Sequence, residues 1–238
     1  MRKLKLYKIT VISNCLLVLV MLGIFMLGFV SNGTTTAANQ GNYNAIYHGN
    51  KDSDNVSLMF NVYENPQVVM DIVNVLNSYG AKSTFFFGGC FADDNAELLN
   101  YVKNSGHELA NHGYFHKDHK KLSYEQNYNE IVRTNKVITA LTGQEITLFA
   151  PPSGSFGVNT LKVCFELDLR VVIWSKDTID WRDKDSNLIF KRATKGVSGG
   201  DFILMHPKQH TLDILPKILE FYANNGLNAV TVSKNLQN

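Results

Sequence analysis

The sequence predicts an α/β domain built on parallel strands, as a barrel or an open sheet. Three observations carry that expectation. Short β-rich runs alternate with helix-period runs from about Val56 to Val232, and such alternation implies parallel strands joined by right-handed crossovers. The 238 residues include 45% hydrophobic and 18% charged side chains, enough for one sizeable domain with an ordinary core plus an appendage. The chemically distinctive residues fall where the β-rich runs end, the place where such folds gather their chemistry.

Ahead of that domain, Ile9 to Val30 is a nearly unbroken apolar run of 22 residues, and about 20 suffice to cross a bilayer as a helix. Arg2, Lys3, Lys5 and Lys8 precede it with no acidic residue nearby. Residues 1–8 therefore read as a cytoplasmic basic tail and 9–30 as a transmembrane anchor or signal, with the rest of the chain outside the cytoplasm. Thr36-Ala37-Ala38 is the nearest candidate for cleavage, and a retained anchor is the favoured reading. Residues 31–50 are polar and rich in Asn, Gly and Thr, which suits a tether. The domain is assigned to 51–238, with domain-like sequence starting near Tyr43.

Without the four leading cations, 19 of the 23 basic side chains face 21 acidic ones, a balance of −2. No basic patch is left to explain, and nucleic acid is excluded as a partner. Cys15, Cys90 and Cys164 form neither a disulfide framework nor a metal spacing. Cys90 and Cys164 read as isolated buried thiols.

Within the domain, Val56–Val62 reads as the first strand, and Pro66 suits the first turn of a helix over Gln67–Ser78. Ser83–Phe87 is a second strand, Asn95–Lys103 a helix and Glu108–Asn111 a short third strand. A long helix runs from Ser123 to Leu141, where Ser123 and Gln126 make a capping box and Gly143 a stop. Thr147–Ala150, Arg170–Trp174, Phe202–Met205 and Ala229–Val232 are further strands with helices between.

Four of the seven histidines lie between Asn104 and His119, and two of them, His112 and His116, stand four apart. On a helical turn that spacing points both rings the same way, and neutral imidazole is the commonest protein ligand for a divalent metal. A histidine-rich surface loop is the plain alternative. Other strand ends supply company: Asn61 closes the first strand, Pro151-Pro152-Ser153-Gly154 follows the fourth, Asp177 to Trp181 the fifth, and His206 ends the sixth.

Together these segments resemble the polysaccharide deacetylase family (NodB homology, carbohydrate esterase 4) from about Val56 to Val232. His112-Gly-Tyr-Phe-His116 is similar to the family's His-x-x-x-His motif, Asp177-Thr-Ile-Asp180-Trp181 to its Asp-x-x-Asp-Trp, and Leu204-Met-His206 to its Leu-x-His. The resemblance implies a distorted (β/α) barrel that removes acetyl groups from N-acetylated sugars with a divalent metal, zinc being the expected one. It implies His112 and His116 as metal ligands and His206 as the acid, oriented by Asp180. Trp181 and Leu204 would wall the acetyl pocket, Pro152, Gly154 and Tyr114 would contact substrate, and Asp177 would support the site. The implied partner is an N-acetylated glycan, peptidoglycan foremost.

Two motifs depart from the family. Where it carries Thr-Phe-Asp-Asp, supplying the catalytic base and a metal ligand, this chain has Met59-Phe60-Asn61-Val62. Where it carries an arginine that holds the base carboxylate, this chain has Ala150. An amide is no base at neutral pH, and valine ligates nothing. The losses agree with each other, because a retained arginine without its carboxylate would be a buried unpaired charge. Asn61-Val62 together with Phe149-Ala-Pro-Pro-Ser-Gly154 resembles a sporulation-associated branch from endospore-forming bacteria. Asp177 and Glu64 are candidates for a relocated carboxylate, and Asn61 is a fallback ligand through its carbonyl oxygen. Asp118 and His119 read as solvated loop residues, His48 and His107 as structural. Three functions remain open: metal-assisted deacetylation, glycan binding by a domain that has lost its base, or a scaffold that recruits other cell-envelope proteins through its helical faces.

Overall fold

The architecture is organised around one strand, β1 (Asn55–Val62), which is buried over seven of its eight residues. The coordinates are a computed structural model that describes residues 44–237; the expected basic tail, membrane segment and most of the tether lie outside the described residues. Among the described residues no helix is long and apolar enough to cross a membrane.

β1 pairs in parallel with β2 (Thr84–Phe87), β7 (Phe202–Met205) and β8 (Asn228–Ala229). β3 (Glu108–Asn111), β4 (Leu148–Phe149) and β5 (Arg170–Val171) extend the sheet beyond β2, and β6 (Lys176–Asp177) extends it beyond β7. The strand order is β5-β4-β3-β2-β1-β7-β6, with β8 joined to β1. The result is a curled parallel sheet, a half-barrel of the (β/α) type.

Side-chain alternation explains the near-continuous apolar strands. Leu58, Phe60 and Val62 of β1 face a large outer cluster under the helices, while Met59 faces inward with Phe86, Ala110, Leu148, Val172 and Phe202. A strand buried on both faces has no solvent side to make polar.

Eight helices wrap the sheet: α1 (Pro66–Ser78), α2 (Gly89–Asp93), α3 (Ala96–Asn104), α4 (Tyr124–Thr142), α5 (Val158–Glu166), α6 (Ser186–Thr194), α7 (Gln209–Asn224) and α8 (Val232–Asn235) among the described residues. α4 starts as its sequence directs. The Gln126 amide donates to Ser123 Oγ at 3.2 Å, and the Ser123 amide donates to Gln126 Oε1 at 2.9 Å. It ends on Gly143 at φ +69°, a left-handed residue that glycine adopts without strain.

The differences from expectation are local. β6 and α2 carry no sequence signal strong enough to mark them, since β6 is only Lys176-Asp177 and is held by pairing with Ile203 and Leu204. β5 stops at Val171 because the next residues pair elsewhere: the Ile173 amide donates to the Ile46 carbonyl at 2.8 Å. Asn44 to Asn50, inside the stretch read as a tether, runs along the domain. The Gly49 amide donates to Gly200 O at 2.7 Å and the Asn50 amide to Asn235 O at 2.8 Å. The docked chain thus begins before residue 51. Cys164 is buried, Cys90 is partly buried, and both are free thiols.

Candidate functional site

At the C-terminal ends of the strands lies a cavity of about 360 Å³. Asn61, Tyr63, Glu64, His112 and His116 line one half; Ser153, Trp174, Asp177, Trp181, Leu204 and His206 line the other. Three of the non-glycine residues at positive φ sit on this face, namely His116 (+52°), Ser153 (+56°) and Ile179 (+56°). For a β-branched residue such as Ile179 that conformation is costly, and strain of this kind collects at sites that must aim particular groups.

The His206 half is built around a buried carboxylate. Asp180 is 1% exposed. Its Oδ1 lies 2.7 Å from His206 Nδ1, and its Oδ2 accepts from the His206 amide and from Thr211 Oγ1, each at 2.7 Å. His210 Nε2 lies 2.8 Å from the Asp180 carbonyl. With Nδ1 turned to Asp180, His206 presents Nε2 to the cavity. Leu204 is buried in the floor and Trp181, 55% exposed, stands at the rim. Asp177 Oδ1 accepts from the Ile179 amide at 2.7 Å, which steadies the turn delivering Asp180.

The Asn61 half has no such carboxylate. Asn61 points into the cavity, is 5% exposed, and its Oδ1 has no hydrogen-bond partner. Val62 points the opposite way and is fully buried in the outer cluster, as period-2 alternation requires. His112 is buried, with Nδ1 at 2.7 Å from the Ala150 carbonyl. That bond puts the proton on Nδ1 and leaves the Nε2 lone pair free. Burial pushes the His112 pKa down to about 3, so the ring is neutral. His116 lies at the exposed edge, its ring centroid 5.5 Å from that of His112. Tyr63 packs against both rings, at 5.5 Å from His112 and 4.9 Å from His116, and burial raises its pKa, keeping the phenol neutral.

Two neutral imidazoles suit a divalent metal, but a catalytic zinc ordinarily takes three protein ligands. Among the described residues no group of three His, Cys, Asp or Glu side chains could hold one. The residues present do not fit the metal.

The remaining sequence candidates are distributed as follows. Glu64 lines the cavity and is ion-paired to Lys208. Asp118 accepts from Ser155 Oγ at 2.5 Å and pairs with Lys121 at 3.0 Å, away from the cavity. His119 is fully buried, not solvated, with Nδ1 at 2.7 Å from Asn127 Oδ1. Tyr114 is buried outside the lining, under the Arg133 guanidinium at 3.7 Å from its ring centroid. Pro152 is buried, and Gly154 lies beneath Trp174, where a Cβ would come within 2.8 Å of the ring. Ser153, between them, is the member of that turn that reaches the cavity. His48 pairs with Asp201 at 3.6 Å, and His107 accepts from the Ser83 amide at 3.2 Å, both far from the lining. Sequence reasoning passed over Tyr63 and Trp174 as site residues. The one available signal was an aromatic at a strand end: Tyr63 just past the Val56–Val62 run and Trp174 the last residue of the Arg170–Trp174 run.

Comparisons with known proteins agree with this geometry. The family pattern described as Polysaccharide deacetylase matches residues 48–172. The chain is 31% identical to the Bacillus subtilis protein YlxY over 79% of its own length, and spans 59% of YlxY. It is 27% identical to a peptidoglycan-N-acetylglucosamine deacetylase of Bacillus cereus, covering 82% of this chain and 73% of that one. Among solved structures, the carbohydrate esterase 4 pseudoenzyme BA3943 of Bacillus anthracis superposes with a TM-score of 0.79 at 28% identity, covering 82% of this chain and 69% of that one. A mutant of BA3943 with restored enzymatic activity superposes equally, TM-score 0.79 at 26% identity, over 82% of this chain and 71% of that one. The chain belongs to the polysaccharide deacetylase family, whose members are hydrolases acting on carbon–nitrogen bonds and generally depend on a divalent metal.

Proposed function

We propose that this protein engages N-acetylated cell-wall glycan, peptidoglycan foremost, in the cavity between Asn61 and His206, and that its hydrolytic half has been dismantled. The observation carrying this reading is the contrast across the cavity. Asp180 and His206 remain fully tied, while Asn61 and the outward-facing Val62 leave the opposite half without a carboxylate at the base and ligand positions, and the one carboxylate that lines it, Glu64, is ion-paired to Lys208. Amide hydrolysis needs an activated water as well as an acid, and only the acid side is provided. The cavity retains what a glycan needs: Trp174 and Trp181 offer rings to sugar faces, and Asn61 lines it with a side-chain amide that can hydrogen-bond a sugar hydroxyl or acetamido group. Support comes from the B. anthracis relative described as a pseudoenzyme and from the B. cereus relative named for peptidoglycan.

A second reading, deacetylation itself, is favoured by one specific feature. Asp180 holds His206 with Nε2 toward the cavity, as an acid for a leaving amine requires. We place the protein on the outer face of the membrane, anchored through residues 9–30. Asn61-Val62 and Ala150 suggest a sporulation-associated branch.

The test uses the full-length chain with N-acetylglucosamine oligomers and cell-wall glycan strands. Binding of equal strength with and without chelator, and no acetate release, is the expected result. Acetate release that disappears in a His206→Ala variant would establish the second reading instead.

A further inference from the structure

We infer that Tyr63, next to the Val62 that replaces the missing third ligand, does the structural work of the metal, so that the His112–His116 turn is held without an ion. Each backbone N–H of the turn has a partner. The His112 amide donates to Phe87 O at 3.0 Å and the Gly113 amide to Asn111 Oδ1 at 2.7 Å. The Tyr114 and Phe115 amides both donate to Glu130 Oε2, at 3.0 and 2.8 Å. The His116 amide donates to Tyr63 Oη at 3.0 Å. No N–H from 112 to 116 is left over, although His116 is at φ +52° and Gly113 at +73°.

Tyr63 is the side chain that ties the two ends of the turn together. Its hydroxyl hydrogen is shared between the His112 carbonyl at 3.0 Å and the Gly113 carbonyl at 2.8 Å, while a lone pair takes the His116 N–H. A metal on the two imidazoles would bridge the same two residues from the ring side. Here the bridge runs through the backbone, and the phenol ring fills the space beside both imidazoles. The fit is mutual: a Cβ at Gly88 would fall 2.0 Å from the Tyr63 ring, so Gly88 leaves the room that Tyr63 occupies. The phenol oxygen, engaged with three backbone groups, is not available as a ligand. This inference concerns metal independence and stands apart from glycan binding.

The experiment is thermal unfolding of the full-length chain with chelator and with excess zinc, for wild type, Tyr63→Phe and Tyr63→Asp. Wild type is expected to melt at one temperature in both conditions; a rise with zinc overturns the inference. Tyr63→Phe is expected to melt about 5 °C lower in both conditions, since three backbone groups lose their partner; a wild-type melting temperature overturns it. Tyr63→Asp is expected to melt low in chelator and to gain stability with zinc, because a carboxylate now reaches the two imidazoles. A folded Tyr63→Asp indifferent to zinc overturns the placement. If that variant does not fold, wild type and Tyr63→Phe decide.

Discussion

The two halves of the cavity are built on different principles. On one side, a single buried carboxylate, Asp180, gathers His206 and Thr211 through three contacts of 2.7 Å. On the other, the buried carboxylate, Glu130, sits behind the histidine turn and outside the cavity lining; Asn61 carries an unpaired carbonyl oxygen, and Tyr63 and Glu130 take up the backbone of the histidine turn. A buried charge is tolerated only with its partners in place, so the first half can change only as a unit. The second half shows such a unit already exchanged. The carboxylates and the arginine expected from the family are absent together, and Asn61, Val62 and Ala150 occupy their places.

The comparison is most open to attack at Asp180. Asp180→Ala removes the acceptor of three hydrogen bonds and leaves them unpaired, which should cost about 3–5 kcal/mol and lower the melting temperature by roughly 10 °C. A drop of a degree or two on calorimetry would mean that the His206 half is no more tightly tied than its opposite.

Val62 comes next. Returning a carboxylate at 62 by Val62→Asp puts a charge into the outer apolar cluster, at a cost of about 3 kcal/mol. Titration calorimetry should then detect no zinc binding in Val62→Asp. Zinc binding there would show that the end of β1 can turn to bring residue 62 into the cavity.

How much of this was legible beforehand depends on what each residue's neighbours could disclose. β1, β3 and β7 were legible because strands buried on both faces are written as apolar runs. α4 was legible because Ser123, Gln126 and Gly143 are local instructions. The pairing of Asp180 with His206 was legible from motif spacing. What escaped were properties of strand ends. Asn61, Val62 and Tyr63 are consecutive, and which of them faces the cavity depends on where the pleat stops, something spacing alone does not record. Tyr63 makes its contacts with His112, Gly113 and His116 about fifty residues away, so no local pattern marks it. Ser153 and Pro152 raise the same problem on a turn: the cavity is reached by the residue at φ +56°, and the sequence does not show φ.

His107 offers a baseline outside the cavity for the neutral His112 within it. Burial, with a smaller push from Lys82, lowers its pKa to about 4. Since the unfolded value is about 6.5, the unfolded chain binds the extra proton between those limits. Stability from this group is therefore fully present above pH 6.5 and is lost as pH falls toward 4, by on the order of 1.4 kcal/mol per pH unit. His112 pulls the same way. Melting temperatures from pH 7 to 4.5 should fall more steeply in wild type than in His107→Gln. Parallel curves would remove His107 as a source of acid sensitivity.

The smallest effect is the most discriminating, because it separates binding from folding on the altered side. Asn61 Oδ1 has no partner within the protein, so Asn61→Ala removes an unsatisfied acceptor and should leave the melting temperature unchanged or slightly higher. If the Asn61 amide hydrogen-bonds a sugar hydroxyl or acetamido group, the same variant should lose about 1 kcal/mol of glycan affinity, roughly a fivefold rise in Kd. The matching change across the cavity, His206→Ala, leaves Asp180 buried with one partner fewer and should disturb stability as well as binding. Glycan affinity unaltered in Asn61→Ala would place the sugar entirely against Trp181 and His206, and the Asn61 half would then be structural alone.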